Sequence, residues 1–224
     1  MTVRIKRRQN SESAPYWQSF NYEGPKHVTV SALLDFLNYT DDLYDTEGNP
    51  APKIRWECSC VQAVCGGCAM VINGYPALAC NTFIDEVGAE EIILEPLSKF
   101  PVVSDLIVDR SSIFENLVSS RAFLDGVASQ SEHHHAQQYS VAKCLKCGLC
   151  LEICPNFRVG GEFYGAAFAN ESYLIASQIT DKKSDMVKEY KKHFGKGCSK
   201  ALSCRSVCPA GIETLTSILR MNRK

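Results

Sequence analysis

Cys144-Leu145-Lys146-Cys147-Gly148-Leu149-Cys150-Leu151-Glu152-Ile153-Cys154-Pro155 sets four cysteines two, two and three residues apart and closes on a proline. Cysteine is the outlier of the composition. There are twelve in 224 residues, five of them between 58 and 80, four in the quoted run and three between 198 and 208. Such density is either a disulfide framework or a metal framework. The N-terminus, Met1 to Arg8, has no apolar stretch to serve as a secretory signal, so a reducing compartment is expected. There, cysteines two residues apart are metal or redox ligands.

The quoted run has the bacterial-ferredoxin spacing, in which three cysteines hold one cubane cluster and the fourth reaches across to a second. Its partner is Cys198-x5-Cys204-x3-Cys208-Pro209, where the position that would carry the second cysteine is Ala201. Cys144, Cys147 and Cys150, with Cys208 from the far run, give four thiolates for a [4Fe–4S] centre. Cys198 and Cys204, with Cys154, give three. A cubane-shaped site with no ligand opposite Ala201 predicts a [3Fe–4S] cluster, whose smaller negative charge raises its potential. Paired structural zinc sites are the competing reading, but seven cysteines cannot make two closed four-ligand sites.

Upstream, Cys60, Cys65, Cys68 and Cys80 run Cys-x4-Cys-x2-Cys-x11-Cys, and the first three match the plant-type spacing for a [2Fe–2S] cluster. Gly66 and Gly67 allow the backbone to curl and point amides at sulfur. A hairpin at Asn73-Gly74 is expected to bring Cys80 back beside Cys68. Cys58 is left over and reads as a buried, inert thiol. From Cys58 to Ile84 no residue is charged, long enough to span a bilayer, but Gly66, Gly67, Asn73, Gly74, Pro76 and Asn81 suit turns. The segment reads as the wrapping of a cluster.

The remaining sequence divides near residue 105. Before it, Val3 and Ile5, then Phe20 and Tyr22, alternate as strands, and Glu91 to Glu95 forms another. Val30, Leu33, Leu34 and Leu37 follow helical spacing behind a Thr29 or Ser31 cap. Beyond it the pattern turns helical: Ser111 to Val127 with Ser111 or Ser112 as cap, patches at Tyr173 to Ile179 and Lys183 to Phe194, and a last helix burying Leu215, Ile218 and Leu219. Ser129 to Ser140, with His133, His134 and His135, reads as a polar, solvated connection. The fold class is therefore α+β: a plant-type ferredoxin (β-grasp) domain over 1–105 and an all-α, bacterial-ferredoxin-like domain over 106–224. A net charge of −1 argues against nucleic acid as a partner. Lys183, Lys188, Lys191, Lys192 and Lys196 form a basic patch that reads as a solvated helix face or a contact for a membrane surface or acidic partner.

The combination of Cys60-x4-Cys65-Gly66-Gly67-Cys68-Ala69-Met70, Ile72-Asn73-Gly74 and Leu78-Ala79-Cys80 resembles the iron–sulfur subunit of succinate dehydrogenase and fumarate reductase. Phe100-Pro101-Val102-Val103 followed by Asp105 to Asp109 looks like that family's link between domains, and the two later runs, with the gap at Ala201, are similar too. The resemblance implies a flavoprotein partner holding FAD, a membrane-anchor subunit with a quinone, and a peripheral position on the cytoplasmic face of the membrane. No Gly-x-Gly-x-x-Gly loop for a dinucleotide lies in this chain, consistent with FAD residing in the partner. Two departures bear on the quinone. Asn156-Phe157-Arg158-Val159 stands where ubiquinone-linked members carry tryptophans, and Ser199 stands where they often carry His; both favour menaquinone or a non-quinone partner. Val61 and Gln62 replace the family's Arg and Glu after the first ligand, which bears on that cluster's potential. The same wiring would serve a different flavoprotein, such as one oxidising glycerol 3-phosphate or reducing another unsaturated acid.

Overall fold

The computed structural model describes residues 1–88, 90–124, 126–128, 132–178 and 183–223. It divides into two compact units, Met1–Asp109 and Arg110–Lys224. The α+β class expected from the sequence holds, with strands in the first unit and helices in the second.

In the first unit β1 (Thr2–Arg7) and β2 (Tyr16–Asn21) form an antiparallel pair, followed by α1 (Val30–Tyr39) and the short β3 (Leu43–Tyr44) and β4 (Pro50–Ala51). β5 (Ala69–Ile72) and β6 (Tyr75–Leu78) make the hairpin, then come α2 (Ile84–Val87), β7 (Glu91–Glu95), β8 (Val102–Ser104) and β9 (Ile107–Val108). The main sheet runs β2-β1-β7-β5-β6, with β1 and β7 parallel and the other neighbours antiparallel. Val3, Ile5, Ile92 and Leu94 are sealed on its inner face with Val30, Leu33 and Leu34 of α1. Thr29 caps α1 by accepting from the Ala32 amide at 3.3 Å. The turn falls at Asn73-Gly74, both left-handed (φ 49° and 78°), the geometry that matches the twist of the two strands. The Asn73 side chain also accepts from the Ile93 amide at 2.7 Å, tying the hairpin to β7.

A charged pair sits inside this unit. Arg7, 1% exposed at the end of β1, donates from Nη2 to Asp105 Oδ2 at 2.8 Å and from Nη1 to Gln18 Oε1 at 2.8 Å. It also donates to the carbonyls of Pro52 and Lys53, each at 2.9 Å. Asp105 in turn accepts from the amides of Arg8 (3.0 Å) and Arg55 (2.9 Å). Every lone pair and proton is used, the condition under which a buried ion pair is tolerable. It clips the loop leading to the first cysteines and the β8–β9 hairpin to the sheet.

In the second unit α3 (Ser111–Ser119), α4 (Glu132–Ala142), α5 (Leu149–Glu152), α6 (Gly165–Ala176), α7 (Lys183–Tyr190), a π-turn (Lys191–Gly195), α8 (Ser203–Ser206) and α9 (Thr214–Asn222) surround a core of Phe168, Tyr173, Tyr190, Phe194 and Ile218. Several sequence expectations are corrected here. α3 stops eight residues before Val127 because Arg121 turns left-handed (φ 53°), with Ala122 donating to Leu117 O and Arg121 to Val118 O. This is the Schellman termination; it leaves Phe123 exposed, and neither Ser111 nor Ser112 caps the start. The expected connection at Ser129 to Ser140 is instead α4 from Glu132 onward, its first residues lying outside the described ones. Besides Val141, its buried side chains are amides: Gln137 bonds Ser217 Oγ at 3.1 Å and Gln138 bonds Ser177 Oγ at 3.1 Å. No apolar stripe announces it. His134 is not a solvated tract residue either; its Nδ1 lies 3.0 Å from Tyr173 Oη and 2.9 Å from Arg220 Nη1. α6 begins eight residues before Tyr173 and is buried nearly all round, while the expected end at Ile179 lies outside the described residues. In α9 Ile218 and Met221 are buried, and Leu219 is 57% exposed.

Asp105→Ala is expected to destabilise the first unit by about 3–5 kcal/mol, because it strands a buried guanidinium and two amides. Both tryptophans, Trp17 and Trp56, lie in that unit, so a denaturant titration followed by their fluorescence reads it directly. The paired change Arg7→Met with Asp105→Leu is expected to recover only part of the loss, since the Arg8 and Arg55 amides still lack an acceptor.

Candidate metal centres

In the first unit the segment 60–68 is wound so that amides meet sulfur. Val61 (φ 52°), Ala63 (φ 58°) and Gly66 (φ 78°) are left-handed, and this alternation turns successive N–H groups inward. Gln62 and Val64 donate to Cys60 Sγ, each at 3.4 Å, and Ala63 donates to Cys80 Sγ at 3.3 Å. Gly67 donates to Cys65 Sγ at 3.4 Å and Cys80 to Cys68 Sγ at 3.5 Å. The hairpin accounts for that last contact: β5 and β6 pair Ala69 with Leu78, which carries Cys80 back beside Cys68. All four sulfurs thus accept a backbone N–H. Cys58 does not fit the buried, inert reading, since it is exposed.

The second unit sorts its seven cysteines into two recesses. One is walled by Cys144, Cys147, Cys150, Cys204 and Cys208. The other is walled by Cys154, Cys198 and again Cys204, and Ala201 stands in the same wall. Left-handed residues again shape the ligand loops: Lys146 (φ 54°) and Gly148 (φ 89°) between the first cysteines, Lys200 (φ 62°) and Leu202 (φ 58°) between Cys198 and Cys204. α5 carries Cys150 and is seated on α6 through Gly165, where a Cβ would lie 2.3 Å from Leu151 Cδ2 at a left-handed φ of 76°. The Ile212 amide donates to Cys208 Sγ at 3.4 Å.

The chemistry of this donor set fits clusters and not single ions. All twelve cysteines are free thiols. Among the described residues no three Cys, His, Asp or Glu side chains converge on one point close enough to share a metal ion. A tetrahedral zinc at about 2.3 Å from each sulfur needs that convergence, whereas a polynuclear core holds its thiolates apart around a recess. Burial pushes the Cys150 thiol well up, Cys147 up to about 11 and Cys68 up to about 12. The amides of Gln62 and Val64 instead draw Cys60 down to about 7. The buried sulfurs are therefore protonated until iron displaces the protons, which couples cluster assembly to folding.

Sequence reasoning overlooked Asn170 and Thr214, which line the recess of Cys144, Cys147 and Cys150 from α6 and α9. Lys146, within the quoted run, also went unremarked; it lines the same recess and pairs with Glu171 at 2.5 Å. Only spacing marked the cysteines, and Asn170 and Thr214 lie outside the spaced runs.

A sheet unit with a cysteine-wrapping loop joined to a helical unit with two thiol-walled recesses defines a two-domain iron–sulfur protein. Residues 2–115 match the family model described as a 2Fe-2S iron-sulfur cluster binding domain, and residues 140–212 match a 4Fe-4S dicluster domain. The chain is 32% identical to the succinate dehydrogenase iron-sulfur subunit of Bacillus subtilis (strain 168), over 98% of this chain and 90% of the relative. It is 30% identical to the fumarate reductase iron-sulfur subunit of Escherichia coli O6:H1, over 92% of this chain and 85% of the relative. In fold it is similar to a chain of the Mycobacterium smegmatis Sdh1 complex in the apo form, with a TM-score of 0.75 at 22% identity, covering 98% and 94% of the two chains. The chain belongs to the family of succinate dehydrogenase and fumarate reductase iron–sulfur subunits. Its cofactors are that family's [2Fe–2S], [4Fe–4S] and [3Fe–4S] clusters.

Stripping iron with a chelator under reducing conditions leaves seven thiols lining two recesses without the metal that holds them apart. The helical unit is then expected to melt at least about 10 °C lower, measured by far-UV circular dichroism, with recovery on reconstitution.

Proposed function

We propose that this chain relays single electrons between the FAD of a flavoprotein subunit and a quinone of the menaquinone type at a membrane subunit on the cytoplasmic face of the membrane.

 The observation that carries this reading is the gathering of the seven later cysteines on two recesses, with Cys144, Cys147, Cys150 and Cys208 on one, Cys154 and Cys198 on the other, Cys204 on both, and Ala201 in the wall of the second. In this reading Cys60, Cys65, Cys68 and Cys80 hold the [2Fe–2S] cluster. Cys144, Cys147, Cys150 and Cys208 hold the [4Fe–4S] cluster, and Cys154, Cys198 and Cys204 hold the [3Fe–4S] cluster. When bound, the clusters supply one-electron steps between a flavin and a quinone that each exchange two electrons. The chain's own residues hold the thiolates, exclude water and set the charge each site tolerates. Leu202, Phe163 and Phe194 supply the apolar part of the wall around the three-cysteine recess.

The quinone end is supported by an open cleft over Pro155 to Phe163, which shares Pro155 and Phe163 with the wall of the three-cysteine recess. Asn156, Phe157 and Arg158 line it in place of the tryptophans of ubiquinone-linked members, which supports menaquinone. None of the described helices is long and apolar enough to cross a membrane, so attachment falls to partner subunits.

Ala201→Cys tests the ligand set. The expected result is loss of the three-iron signal in low-temperature EPR of the oxidised protein and gain of a second four-iron signal on reduction; an untouched three-iron signal overturns the assignment. The partners are tested by purifying the tagged chain from native membranes. Covalent or tightly bound FAD in a co-purifying subunit, with clusters reduced by succinate, is expected. A flavin subunit that ignores succinate and fumarate but responds to another substrate would assign the relay to that flavoprotein.

A further inference from the structure

Asn170 lies on α6, 5% exposed, in the wall of the recess formed by Cys144, Cys147, Cys150 and Cys208. Its Nδ2 is 3.0 Å from Oγ1 of Thr214, the first residue of α9, which is 2% exposed and lines the same recess. Its Oδ1 is sealed from water and has no hydrogen-bond partner. A buried carbonyl left without a donor is unfavourable. The amide has a second orientation that fills the same space with O and N exchanged. In that orientation the Thr214 hydroxyl, which can donate as well as accept, gives its proton to Oδ1. Both Nδ2 hydrogens are then free of Thr214, on a residue that shares the recess wall with the sulfurs of Cys144, Cys147, Cys150, Cys204 and Cys208.

We propose that Asn170, oriented by Thr214, donates an N–H···S hydrogen bond to the [4Fe–4S] cluster and raises its reduction potential. The inference rests on the assignment of Cys144, Cys147, Cys150 and Cys208 to that cluster. A donor aimed at sulfur stabilises the more negative, reduced state, which is why hydrogen bonding to the sulfurs is among the determinants of cluster potential. Asn170 is a positioning and tuning residue; it is not a ligand.

The test is an EPR-monitored redox titration of the holoprotein. In Asn170→Leu, close in volume but without a donor, the reduced-to-oxidised ratio of the four-iron cluster at a fixed potential is expected to fall about tenfold, a shift of about 59 mV for a one-electron couple. Thr214→Val is expected to shift it less and in the same direction, and the three-iron midpoint is expected to hold in both. A four-iron midpoint unchanged in a fully loaded Asn170→Leu protein overturns the inference. Should that variant fail to load, unmodified protein labelled with ¹⁵N-asparagine decides: a side-chain ¹⁵N coupling at the reduced four-iron cluster supports the proposal, and its absence overturns it. If the unmodified protein gives no four-iron signal, the ligand assignment fails instead, a result distinct from either.

Discussion

A thiolate buried away from water persists only beside a compensating charge, and the helical unit is arranged around seven cysteines under that constraint. Burial first, and then the neighbouring cysteines, push Cys147 up to about 11 and Cys150 well above its ordinary value, so in the absence of iron these groups are neutral thiols. Cys144, Cys198 and Cys208 pack against the apolar core of the unit, so the metal sites and the core are one structure. Short helices with left-handed joints at Lys146, Gly148, Lys200 and Leu202 follow from the need to face several sulfurs toward one recess. A long regular helix would scatter them around its circumference.

The sheet unit meets the same need differently. Its loop lies nearer solvent, with Cys65 exposed and Cys60 half-buried, and backbone amides supply the positive ends of dipoles that helices cannot bring there. That loop is short of regular structure, so its position depends on what lies to either side. On one side the Arg7–Asp105 pair holds the carbonyls and amides of residues 52–55; on the other the Asn73-Gly74 hairpin returns Cys80. A charge pair far from any sulfur in sequence is thereby part of what shapes a metal site.

Legibility differed between the two kinds of element. The hairpin, β1, β7 and α1 were readable because their signals are local: a two-residue turn, alternation, and apolar residues three and four apart. α4 was not, because Gln137 and Gln138 anchor it through hydroxyls on α9 and on the end of α6, and polar anchors leave no hydrophobic period. The early stop of α3 rests on Arg121 in a left-handed conformation that Gly or Asn would have announced. Cys58 was misjudged for a related reason, since exposure depends on how the loop lies and a free cysteine carries no mark of it.

By itself the sequence determined the kind of chemistry and the number of clusters, because iron–sulfur ligation is written in cysteine spacing. Only the tertiary structure decided which side chains stand around each recess. Asn170 and Thr214 come from separate helices and meet at the wall of the recess of Cys144, Cys147, Cys150 and Cys208 through packing of α6 against α9, a contact between residues 44 apart in the chain that no local pattern encodes.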